Sequence, residues 1–142
     1  MFGIMIALLS GALMSIQGVF NTGVTKQTSL WVATGFVQLT ALLVCIVAWL
    51  FTGRESISAI ANVSPKYLLL GGVIGAFITM TVVKSMGDLG PASATLLIVV
   101  AQLAVSYLIE LLGLFGADKA DFSWRKLFGM VIAVIGIIIF RK

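Results

Sequence analysis

At 142 residues, 61% of them hydrophobic and only 10% charged, the chain lacks the polar surface of a soluble domain. A mean hydropathy of +1.19 assigns it to the membrane. The net charge of +4 sits at the ends of apolar runs, where it reads as interfacial anchoring and orientation rather than a nucleic-acid surface.

Histidine is absent and Cys45 is the only cysteine. An intrachain disulfide, a Cys/His zinc site and a His-ligated haem are therefore excluded, and neither metal nor cofactor is expected. A spanning helix takes about 20 apolar residues, so the length holds five spans with short loops. The expectation is a single all-α polytopic domain over 1–142, with the lipid bilayer as its surroundings.

The first span is expected at 2–20. It lacks the basic start and small-residue cleavage site of a signal peptide, so it should be retained. It breaks at "NTGVTKQT". The second, 29–51, carries Trp31 and Trp49 eighteen residues apart, about 27 Å of helix, marking both interfaces. "TGRESISAIANVSPK" follows, with "SAIANV" either a short interfacial helix or plain loop. The third span is 67–83, ending in "KSMGDLG". Pro91 suits the first turn of the fourth, 91–115, where no backbone donor is lost. "GADKADFS" then leads to 124–140, the shortest, in which Arg125 and Lys126 must snorkel outward.

Small residues recur at helix-packing spacing. They are Gly3, Ala7, Gly11, Ser15 and Gly18 on the first span, Gly71 and Gly75 on the third, and Gly129, Ala133 and Gly136 on the fifth. Close backbone approach at such faces holds helices together in lipid. Each stripe fits either intramolecular packing or a subunit interface.

Lys and Arg in the loops should orient the chain. Arg54, Lys66, Lys119, Arg125 and Lys126 lie on the side of the N-terminus, and Lys26, Lys84, Arg141 and Lys142 on the other. Five against four chooses no side. Two readings stand: a weakly biased chain with its N-terminus inside, or one that inserts both ways and pairs with its own inverted copy. The second suits transport, because solute sites sit between repeats of inverted topology. Two inverted copies would supply ten helices around a cleft.

Polar side chains at membrane depth are costly unless partnered, and they face the bundle interior or water. Ser10, Gln17 and Asn21 share an arc of the first span. Thr34, Gln38, Ala41, Cys45 and Ala48 form a stripe on the second. On the fourth, Thr95, Gln102, Ser106 and Glu110 fall within about 80° of one face. Amides and hydroxyls with one carboxylate toward an end suit a neutral or weakly cationic solute.

Each group also has a plainer reading. Gln38 and Gln102 would bond between helices, Asn21 would cap the end of its span, Thr34 would bond its own helix, and Cys45 would fill space. Glu110, the only acidic residue within an expected span, would pair with Arg125 or Lys126. Asp88, Asp118 and Asp121 are expected to be solvated loop residues. No His base, paired carboxylates or phosphate loop is visible, so the chain is not expected to be an enzyme or an ATP-driven pump.

The stretches "LSGALMSIQGVFNTGV" at 9–24 and "LGPASATLLIVVAQLAVSYLIELLGLFG" at 89–116 resemble the YdcZ family, half-size members of the drug/metabolite transporter superfamily. The resemblance runs end to end and is carried by Gln17, Asn21, Gln102, Glu110 and the "GLFG" at 113–116. Where the family has Asp followed by His, this chain has Glu110 and Leu111, keeping the carboxylate and losing a titratable neighbour. The resemblance implies a bacterial inner-membrane exporter or facilitator built from two inverted five-helix units, with the fifth helix peripheral.

Small multidrug resistance proteins are similar in size, but they place a glutamate in the first helix where this chain has Leu13 and Met14. The expected function is alternating-access export of a small organic solute by a dual-topology antiparallel homodimer, with no nucleic-acid partner. Proton-coupled export of small cations is one alternative, and a non-transporting accessory subunit the other. Candidate solute contacts are Gln17, Asn21, Gln38, Thr95, Gln102, Ser106 and Glu110. The candidate packing or interface set is Gly11, Ser15, Gly18, Gly71, Gly75, Gly129, Ala133 and Gly136.

Overall fold

The structure is a computed structural model that describes residues 1–140. Those residues are all-helical, with five α-helices: α1 Phe2–Gln27, α2 Leu30–Thr52, α3 Gly71–Leu89, α4 Pro91–Leu112 and α5 Trp124–Phe140. Four helices are long and apolar enough to cross a membrane: α1, α2, Lys66–Leu89 (α3 with the turn before it) and α4. At 17 residues, α5 rises about 26 Å, short of a hydrocarbon core of about 30 Å unless the bilayer thins around it.

Large apolar side chains cover the outside of every helix. Phe2, Leu8, Val44, Phe51, Ile132 and Ile139 are all exposed. In water this would aggregate; against acyl chains it is the expected surface.

The helix ends differ from expectation in instructive ways. The first helix runs to Gln27 rather than stopping at residue 20. Polarity marks the membrane boundary and not the end of a helix. Thr22 Oγ1 donates to the Gly18 carbonyl at 2.8 Å, and Thr28 Oγ1 to that of Val24 at 2.8 Å, so the polar turn stays satisfied within the helix. Asn21 is consequently a mid-helix residue and not a cap.

Ser29, in extended conformation, caps α2 by accepting from the Val32 N–H at 3.3 Å. "SAIANV" becomes a 3-10 helix over Ile57–Asn62. The fourth helix stops at Leu112 and not at residue 115, because Gly113 takes the left-handed conformation (φ 63°) that ends a helix. A short 3-10 turn, Leu114–Gly116, follows it.

The chain divides into two compact units, Met1–Gly87 and Asp88 onward. In the first, α1 packs on α2, and α3 reaches α1 where Gly18 removes a side chain. A Cβ there would lie 2.5 Å from Met86 Sδ and 3.5 Å from Val82 Cγ1. Gly75 of α3 lies beneath the Gln38 amide of α2, with Nε2 3.6 Å from where a Cβ would be. In the second unit α4 packs on α5.

Candidate functional site

In the first unit, Gln17 and Asn21 project from α1 into a small cavity shared with Met14, Gly18, Ile78, Thr79 and Val82. Its volume, about 60 Å³, is too small for an organic solute, whose sites run to hundreds of Å³. Asn21 is 8% exposed. Thr79 lines the same cavity, but its hydroxyl is committed to the Gly75 carbonyl at 3.0 Å. Thr34, also buried, has no partner for its Oγ1, so the expected bond to its own helix does not form. Gln38 lies apart, over Gly75.

In the second unit, Ser106 and Glu110 line a cavity of about 360 Å³ with Leu103, Tyr107, Lys126, Gly129 and Met130. Lys126 Nζ donates to Glu110 Oε2 at 2.7 Å and lies 5.3 Å from the centroid of the Tyr107 ring. Both charged side chains are about half exposed. Lys126 therefore does not snorkel away; it turns toward α4. Of the two cations expected near Glu110, it is Lys126 that pairs.

The Tyr107 hydroxyl accepts from the Ser123 N–H at 2.7 Å and donates to the Ser123 carbonyl at 3.3 Å. This fastens the residue before α5 onto α4. Phe122 stacks near Tyr107, with ring centroids 6.5 Å apart, and meets Trp124 edge-on at 5.1 Å.

Thr95 and Gln102 share the Ser106–Glu110 face but lie beyond this cavity, Gln102 one turn away and Thr95 about 16 Å from Ser106 along the axis. The fifth helix, expected at the periphery, supplies Lys126, Gly129 and Met130 to the cavity wall. Sequence reasoning missed Tyr107, although its position one turn before Glu110 was a usable signal.

The two kinds of polar side chain behave differently. The hydroxyls of Ser15, Thr22, Thr40, Thr79, Thr81 and Ser85 donate to carbonyls three or four residues back. The amides of Gln17, Asn21, Gln38 and Gln102 have no hydrogen-bond partner among the described residues. A Cβ at Gly11, Gly71, Gly129 or Gly136 would meet nothing within 4 Å among those residues, and Ser15 and Ala133 are half-buried.

Membrane-length helices, an apolar exterior and polar groups gathered on a few faces define a multi-pass membrane protein. The family model described as "Putative inner membrane exporter, YdcZ" matches residues 2–139, and the chain belongs to that family. Its setting is accordingly the inner membrane and its broad role export. Neither curated proteins nor solved structures provide a match to it.

Proposed function

We propose that the chain is half of a secondary transporter in a bacterial plasma membrane, akin to the ten-helix drug/metabolite transporters. All five helices span. Two copies in inverted orientation form the working dimer, and alternating access moves a small organic solute outward.

The observation that carries this reading is the set of amides at Gln17, Asn21, Gln38 and Gln102, on membrane-length helices and without hydrogen-bond partners among the described residues. Within lipid such groups are costly, so a solute, water in a cleft, or a second copy must meet them. Thr95, Ser106 and Glu110 share with Gln102 one face of α4. The five-to-four division of basic residues supports dual insertion.

Reconstitution tests it. Liposomes containing only this chain should show saturable solute flux, lost in Gln102→Ala and Gln38→Ala variants that still assemble. Absence of flux across a broad solute panel would return the chain to the role of an accessory subunit.

A further inference from the structure

The cavity of the second unit already holds an ammonium group, that of Lys126. The group sits where two features that recognise organic cations converge: the Glu110 carboxylate at 2.7 Å and the Tyr107 ring face, 5.3 Å from Nζ to the centroid. Charge-assisted hydrogen bonding and cation–π attraction are the usual pair of forces for holding an ammonium. Leu103, Gly129 and Met130 make the remaining wall apolar, and Ser106 adds one neutral polar contact. The volume, about 360 Å³, lies within the range of small-molecule sites.

We infer that Lys126 is a tethered stand-in for the solute's own cation, and that the cavity takes a small organic monocation with an apolar body. This names the solute class of the transport reading above and rests on it. Charge balance favours the exchange. With the site closed, Glu110 and Lys126 neutralise each other. When a cation enters, it takes over the carboxylate, and Lys126 is released. Lys126 is the third residue of α5 and its side chain is half exposed, so its stem can carry the ammonium out to the headgroups. No unpaired charge is left at depth.

An anion finds Lys126 already occupied and Glu110 repelling it. A neutral solute gains at most a hydrogen bond from the carboxylate and cannot replace the charge of Lys126. Lys126 thus acts as a built-in competitor. Solute affinity is reduced by the fraction of time the pair is closed, which favours release after export.

The test is equilibrium binding of benzyltrimethylammonium to the purified full chain by calorimetry, with benzyl alcohol as the neutral control. The cation should bind saturably and raise the melting temperature of the wild type, whereas benzyl alcohol should do neither. Lys126→Gln should bind roughly fivefold tighter, while Lys126→Arg should stay at the wild-type level or weaker. Glu110→Gln should lose binding, and Tyr107→Leu should weaken it.

The proposal is overturned if Lys126→Gln binds no tighter than wild type, if Glu110→Gln still binds, or if wild type and Lys126→Gln both fail to bind. It is also overturned if glycine betaine binds in preference and needs both charges, which would make the site one for zwitterions. The expected binding pattern without flux in liposomes would refute transport and leave the cation site standing. Flux of other solutes that survives Glu110→Gln would do the reverse.

Discussion

Glu110 and Lys126 stand sixteen residues apart in sequence and 2.7 Å apart in space. The pair closes because α4 packs on α5 and the connector returns the chain to the same level. Here the Ala120 N–H donates to the Glu110 carbonyl at 2.9 Å. One residue is thereby held through its backbone by the connector and through its side chain by the next helix. Since both side chains are half exposed, the ion pair itself should add little to stability. Glu110→Gln should therefore leave the melting temperature nearly unchanged while abolishing flux. A large loss of stability, restored by Lys126→Gln, would make the pair an anchor instead.

Tyr107→Phe removes both hydrogen bonds to Ser123 and keeps the ring. It should cost about 1–2 kcal/mol in thermal or denaturant unfolding, since a partly buried N–H loses its acceptor. Amide exchange should accelerate at Ser123 and in the first turn of α5, with α2 unaffected.

Gly18→Val places side-chain atoms where Met86 Sδ now sits, and Met86 is 4% exposed. Overpacking of about 1–3 kcal/mol is expected, partly relieved in a Gly18→Val/Met86→Ala double variant. A Cβ at Gly11 would meet nothing within 4 Å among the described residues, which leaves room for a Gly11→Val side chain. That variant should leave monomer folding intact, and a loss of dimer by cross-linking would put Gly11 at the interface between copies.

Dual insertion predicts that a single cysteine placed at residue 2 is labelled by an impermeant reagent in part of the population from each side. The measurement uses a Cys45→Ala background, because Cys45 is exposed. Uniform labelling from one side would refute it. Gln27→Lys with Thr28→Lys, both at exposed positions at the end of α1, should then impose one orientation. Activity should be lost unless an oppositely biased copy is coexpressed.

The all-helical class, the membrane setting and the positions of the apolar helices were legible because 3.6-residue geometry and span length leave few alternatives. The helix ends were less so. Asn21 reads as a cap in sequence because Asx residues compete with helix, yet the neighbouring Thr22 and Thr28 hydroxyls find acceptors on the helix's own carbonyls and the helix continues. Gly113 was a readable stop that the apolar run through Phe115 concealed.

A cationic partner for Glu110 was legible from charge and sidedness, though the choice between Arg125 and Lys126 needed side-chain positions. Tyr107 was hidden by its aromatic character, which in an apolar run resembles lipid-facing bulk. Its hydroxyl bonds to Ser123, sixteen residues on, a contact that no local pattern encodes.

The Tyr107–Ser123 fastening has a mechanical consequence. Together with the Ala120–Glu110 backbone bond and the turn at Gly113, where a Cβ would come within 3.4 Å of Lys119 Cβ, it shortens the effective linkage between α4 and α5 from an eleven-residue strap to a buckled joint. The two helices therefore behave as one stiff lever. Force applied to the Gln102 end of α4 is passed to α5 through the buckle instead of being lost in slack. The fifth helix becomes a counterweight that must tilt whenever the polar face of α4 tilts.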